Sequence, residues 1–162
     1  MMRFNVMFSS CVIIYVLCFL LVCSPSWAVE GQCLDEQRHL LLHFKHNLSF
    51  YSSESGVPEG LSTWDLNTDC CRSWEGVECN QIGEVIGLDL SDNSIVGSAD
   101  GLASLFQLSH LQRLDLSDNN FNSTIASGFD RLPNLTHLNL SNSDFVGQIP
   151  IGISRLERQG AE

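Results

Sequence analysis

Apolar residues recur along this chain with two different periods. Between residues 85 and 147 three segments superimpose: VIGLDLSDNSIVG (85–97), LQRLDLSDNNFNS (111–123) and LTHLNLSNSDFVG (135–147). Each holds a leucine pair one residue apart: Leu88 and Leu90, Leu114 and Leu116, Leu138 and Leu140. That alternation predicts a short strand with both leucines on one face and Asp89, Asp115 or Asn139 on the other. The segments are 26 and then 24 residues apart. The 24-residue step continues past the strand, from Phe121 to Phe145, Ile125 to Ile149, Phe129 to Ile153 and Leu132 to Leu156. One coil of this size cannot bury its own leucines, so the pattern predicts stacked coils whose strands pair into a parallel sheet. Asn93 and Asn119 follow their strands where the chain turns inward, and an amide there can satisfy backbone groups of adjacent coils. Ser143 holds that place in the third segment and can do so only in part. Ile95, Phe121 and Phe145 supply the next apolar layer. Gly97 and Gly147 permit a bend, and Pro150 resists regular continuation.

Upstream the period changes to that of a helix. Asp35 can cap it, with Glu36 and Gln37 in the first turn. Leu41, Phe44 and Leu48 then share one face, and His39, His43 and His46 the opposite one. Histidines four apart on a helix can hold a metal. No acidic ligand follows them and no Glu adjoins His39, so solvent-facing histidines are the preferred reading and no metal site is expected. The stretch FYSSESGVPEG (50–60) reads as a flexible loop. Trp64 and Trp74 lie near cysteines, where large aromatic surfaces suit a small cap with little core of its own. Such a cap is what the first coil of a solenoid requires.

The N-terminus carries a different pattern. Arg3 is the only charge before Glu30, Val12 to Val22 is uninterruptedly apolar, and Ser26-Trp27-Ala28 offers small residues around a cleavage point. Together these read as a secretory signal peptide over residues 1–28, with cleavage after Ala28. The apolar run is short for a retained anchor, and no later stretch approaches the roughly 18 apolar residues of a membrane span. The chain as written is therefore expected to be secreted. Its net charge is −11, with all 19 acidic residues beyond residue 28. That sign disfavours nucleic acid, anionic lipid and acidic polysaccharide as partners.

Export changes the reading of the cysteines. Of seven, Cys11, Cys18 and Cys23 fall in the signal peptide, leaving Cys33, Cys70, Cys71 and Cys79. An even count in an oxidising compartment indicates disulfides. Adjacent cysteines rarely bridge each other, so two pairings remain. Zinc is disfavoured, because no paired C-x2-C units are present. Four N-x-S/T sequons, at Asn47, Asn122, Asn134 and Asn139, are glycan acceptors in an exported chain. Asn139 sits on the exposed side of its strand, so occupancy is expected rather at Asn47 and Asn122.

The repeat resembles the plant-specific extracellular leucine-rich repeat, L-x-x-L-x-x-L-x-L-x-x-N-x-L-x-G-x-I-P. GQIP at 147–150 carries its mark, while GSAD (97–100) and NSTI (122–125) depart from it. CLDEQRHLLLHFK, then Trp64, then CCRSWEGVEC resembles the N-terminal cap of plant leucine-rich-repeat receptors, with Arg72 and Ser73 where one residue is usual. The resemblance implies the pairing Cys33–Cys70 with Cys71–Cys79. It also implies an α/β fold: a leucine-rich-repeat solenoid with a short parallel sheet on its concave face and a helical, disulfide-linked cap. The cap is expected over 29–84 and about three repeats over 85–156. SADGLASLFQLSHLQRLDLSDNNFN and NLTHLNLSNSDFVGQIP look most like receptor-like proteins of the Verticillium-wilt resistance type.

Nothing in the sequence arranges a nucleophile with a base, or a phosphate loop, so no enzyme and no cofactor are expected. What the resemblance implies instead is a recognition module, the N-terminal part of a plant cell-surface immune receptor. Its full-length relatives would sit in the plasma membrane, bind protein or peptide ligands of pathogen origin, and signal through receptor kinases. Arg113 and His137 depart most from the bare template and, with Asp115 and Asn139, are the expected ligand contacts of the concave face. A secreted inhibitor resembling the polygalacturonase-inhibiting proteins is the alternative. A third reading is a non-functional fragment, since a fourth repeat starts at Ile151 but has Gln159 where leucine belongs, making 157–162 a truncated tail. Three coils exposing an apolar end would be marginally stable.

Overall fold

A computed structural model describes residues 31–50, 58–97, 99–125, 128–149 and 153. The signal peptide, most of the loop at 50–60 and the tail at 157–162 lie outside the described residues. Helix α1 (Asp35–His46) opens the cap, followed by strand β1 (Ser49–Phe50) and the short helices α2 (Glu59–Ser62) and α3 (Cys70–Ser73). Strands β2 (Val77–Cys79), β3 (Val85–Asp89), β4 (Ile95–Val96), β5 (Arg113–Asp115) and β6 (His137–Asn139) come next, with 3-10 helices at Ala99–Gln107 and Phe129–Arg131. No helix among the described residues is long and apolar enough to cross a membrane.

The expected sheet is present and is extended by the cap. Its order is β2-β3-β5-β6. β3, β5 and β6 run parallel, with Leu88, Leu114 and Leu138 in one row and Asp89, Asp115 and Asn139 in the next. β2 pairs antiparallel with β3, so the cap closes the first edge. A second, smaller pairing joins β1 to β4, Phe50 opposite Ile95. Phe50 therefore belongs to a strand rather than to the expected loop. Its backbone groups find partners there, which period-based reading of so short a segment cannot detect.

The core is continuous from cap to third coil. Leu41, Phe44, Leu61, Trp64, Trp74 and Val85 pack with Leu88, Leu90, Leu114, Leu116, Phe121 and Leu135. Trp64 and Trp74 are buried and stacked 5.2 Å apart. Their indole N–H groups reach the Glu75 carbonyl and the Thr68 hydroxyl, at 2.9 and 2.8 Å. Two disulfides hold this cap: Cys33–Cys70 and Cys71–Cys79, both with Cα atoms 5.4 Å apart. The sulfurs of Cys33, Cys70 and Cys71 cluster, but a bonded sulfur offers no thiolate to a metal.

One helix cap is not as expected. α1 begins at Asp35 with Leu34 at the capping position and no side-chain cap. Asp35 instead sits in the first turn, where its carboxylate favours the positive helix end and takes a 2.5 Å bond from Arg38. Cap bonding is supplied at α3, where Asp69 accepts from the Cys71 N–H at 3.0 Å and from the Cys33 N–H at 3.0 Å.

Asn119 performs the expected inward-turn role in full. Its amide donates to the Leu90, Leu116 and Ser117 carbonyls at 2.8, 3.0 and 3.0 Å, and its oxygen accepts the Ile95 N–H at 3.0 Å. Ser143 does only the donating part, to Leu116 and Ser141 at 2.7 and 3.0 Å. The Phe121 N–H goes to the Ser143 backbone carbonyl instead. Asn93 reaches the Ser91 carbonyl of its own coil at 2.9 Å, because its neighbour is the cap and not another repeat.

Candidate functional site

The open face of the main sheet forms a groove of about 600 Å³, lined among others by Glu78, Gly87, Asp89, Arg113, Asp115, His137 and Asn139. Its geometry follows from strand alternation: the leucines turn inward, so the residues between them turn out. One row runs Glu78, Gly87, Arg113, His137, each opposite the next on neighbouring strands. The second runs Asp89, Asp115, Asn139. All four expected contact residues are thus brought together.

Arg113 and Glu78 form a salt bridge that passes over β3. Gly87 makes this possible. A Cβ there would lie 3.1 Å from the Glu78 side chain and 3.3 Å from Arg113 Nη2. The hydrogen bond and charge of Glu78 raise the Arg113 pKa further above its usual range. Glu78 was not among the residues singled out in the sequence; it lies in the cap, and only the antiparallel β2–β3 pairing carries it to the groove. His137 turns one ring nitrogen to the Thr136 hydroxyl at 2.8 Å.

The acidic row is more tied down. Asp115 Oδ1 accepts from the Ser117 N–H at 2.9 Å and its hydroxyl at 2.6 Å, and Oδ2 accepts from the Asn139 amide at 2.9 Å. Burial alone would raise its pKa, but these bonds from Ser117 and Asn139 outweigh it and hold the carboxyl below its ordinary range. Asp89 brackets Ser91 in the same way at 3.0 and 2.7 Å. Asn139 brackets Ser141 at 3.1 and 2.7 Å. This second outward row therefore fastens the strand ends, and Asp115 and Asn139 serve the scaffold as well as the groove. Arg113 and His137 carry fewer such duties and are exposed.

The other sequence-derived positions lie elsewhere. Asn47, Asn122 and Asn134 are exposed. Asn47 ends α1 with its amide on the His43 carbonyl at 2.9 Å, and Asn134 donates to the Ser109 carbonyl at 2.8 Å. Asn122 has φ of 40°, in the left-handed region. Trp64 and Trp74 are buried and offer no exposed surface to a ligand.

This cap, sheet and coil geometry defines a leucine-rich-repeat protein. The leucine rich repeat N-terminal domain matches residues 34–80 and the leucine rich repeat model matches 84–145. The chain belongs to the leucine-rich-repeat family, and the relatives it matches are plant receptor-like proteins. It is 39% identical to Receptor-like protein 7 of Arabidopsis thaliana over 145 residues, which is 85% of this chain and 14% of that protein. It is 41% identical to Receptor-like protein 9DC1 of Solanum pimpinellifolium over 159 residues, 90% of this chain and 18% of that one. The chain thus spans under a fifth of these relatives. Among solved structures, the Arabidopsis receptor kinase HAESA ectodomain in complex with an IDA peptide hormone superposes with a TM-score of 0.62 at 30% identity, over 76% of this chain and 19% of that one. The PEPR1–AtPEP1 structure gives 0.62 at 28% identity, over 77% and 17%.

Proposed function

We propose that this chain is a non-catalytic recognition module, the N-terminal part of a plant cell-surface immune receptor-like protein. Its ligand is a protein or peptide, read on the open face of the sheet. The observation that carries this reading is the groove itself. It presents Arg113, positioned by Glu78 across a glycine, beside His137 on the next strand. A guanidinium with several donors in a fixed fork suits carboxylates and carbonyls of a peptide. The HAESA ectodomain, solved with an IDA peptide hormone, shares the fold at 30% identity and supports a peptide as the partner class. Pathogen origin of the ligand and receptor kinases as signalling partners extend the same reading to the full-length protein.

The chain enters the secretory route by residues 1–28, is glycosylated at Asn47 and Asn122, and faces the apoplast; a full-length relative sits in the plasma membrane. The relatives named above are receptor-like proteins, and nothing in the groove favours an inhibitor of pectin-degrading enzymes. The test is selection of a displayed peptide library against the full chain, followed by binding to Arg113→Ala and His137→Ala. Peptides that lose about ten-fold or more in affinity to both variants uphold the groove as the site. Binders indifferent to both, or inhibition of a fungal polygalacturonase by the chain, would overturn the reading.

A further inference from the structure

Three of the five histidines in the chain fall within eight residues of α1. His39, His43 and His46 are all exposed. Residues three and four apart on a helix stand one above the other, with Cβ atoms about 5–6 Å apart. Glu36 lies one turn before His39, in the same column. All four line one groove of about 770 Å³ on the cap, walled by Leu40 and Leu66. The carboxylate escapes a motif search because it precedes the histidines instead of following them.

We propose that Glu36, His39 and His43 form a binding site for a borderline divalent transition metal of the zinc type, with His46 one turn on as a further ligand. Imidazole nitrogen and carboxylate oxygen are the donors such ions take, at about 2.0–2.2 Å for zinc. A pair of histidines four apart on one helix can close on a single ion without moving the backbone. As the side chains stand, the three donor atoms are not gathered within 4.8 Å of one another, and converging on an ion requires side-chain rotation, which their exposure permits. One contact must give way. The Asn47 amide nitrogen, the atom a glycan would occupy, lies 3.1 Å from His43 Nδ1, so a metal on this ring competes with it and the site is that of the chain unglycosylated at Asn47. The nearby disulfide sulfurs take no part, being bonded to each other. This site is separate from the sheet groove and does not depend on what that groove binds.

The experiment is calorimetric titration of the full chain with zinc chloride, with the imidazole signals followed by NMR. Saturable binding is expected, with shifts confined to His39, His43 and His46. His39→Ala and His43→Ala should each weaken it about ten-fold or more, as loss of one donor does, and Glu36→Gln should weaken it less. His137→Ala should leave it unchanged, and Asn47→Ala should not weaken it. Circular dichroism of each variant reports whether α1 is intact, and these exposed substitutions should leave it so. No saturable binding, or binding equally strong in His39→Ala and His43→Ala, overturns the proposal.

Discussion

Replacing Asn119 by alanine removes a buried side chain that ties two coils together from inside. The side chain is only 5% exposed and makes four hydrogen bonds to backbone. Two of its partners retain others. The Leu116 carbonyl also accepts from Ser143, and the Ser117 carbonyl from the Asp92 N–H. The Ile95 N–H and the Leu90 carbonyl have Asn119 as their side-chain partner. Each orphaned buried group costs about 1–3 kcal/mol, and partial relaxation brings the total to about 3 kcal/mol. Ser143→Ala removes one donor from a carbonyl that Asn119 still serves, and should cost about 1 kcal/mol. Urea unfolding of the full chain, read by the fluorescence of the buried Trp64 and Trp74, measures both. If Asn119→Ala costs no more than Ser143→Ala, the asparagine does not organise the inward turn and the argument fails.

Three further outcomes follow from the cap and the sheet. Loop-closure entropy assigns about 4 kcal/mol to the Cys33–Cys70 bridge and about 2.5 kcal/mol to Cys71–Cys79, their sequence separations being 37 and 8; paired serine replacements should destabilise in that order, and the reverse order in urea unfolding would contradict it. Gly128→Ala would place a Cβ 2.1 Å from the Phe106 ring, which itself packs edge-on against Phe129, so a loss of about 1–3 kcal/mol is expected in thermal unfolding and an unchanged melting temperature would refute the packing. The Asp115 carboxyl is held below its ordinary 3.8 in the fold, so its stabilisation is fully present above that value and is lost as pH falls through the lower, folded one. Asp115→Asn does not titrate, and the stability gap between wild type and this variant should close in acid; a gap independent of pH would show that the charge is not what Ser117 and Asn139 favour.

Periodicity reached the parts of this fold that repeat. Leu88, Leu114 and Leu138 stand in one row because a repeat of 26 and then 24 residues and a two-residue alternation leave little else for them to do. The inward role of Asn119, and the partial one of Ser143, follow from how many donors and acceptors each side chain has. What the pattern did not reveal depends on pairing across distant segments. β1 meets β4 through two residues with no alternation to read. Glu78 reaches the groove because β2 runs antiparallel to β3, and Gly87 matters because it is empty space under an ion pair. Asp115 is an expected ligand contact, yet it and Asp89 each hold a serine two residues on. Asp35 has the residue type of a cap and serves as a first-turn charge, a distinction set by one residue of helix register.

The proposed function stands or falls with recognition on the open face of β3, β5 and β6. Hydrogen–deuterium exchange of the full chain, with and without a peptide selected against it, tests this most directly. Added protection is expected in the segments around Gly87–Asp89, Arg113–Asp115 and His137–Asn139, with the cap helix Asp35–His46 unchanged. Protection confined to that helix, or to neither region, would contradict it.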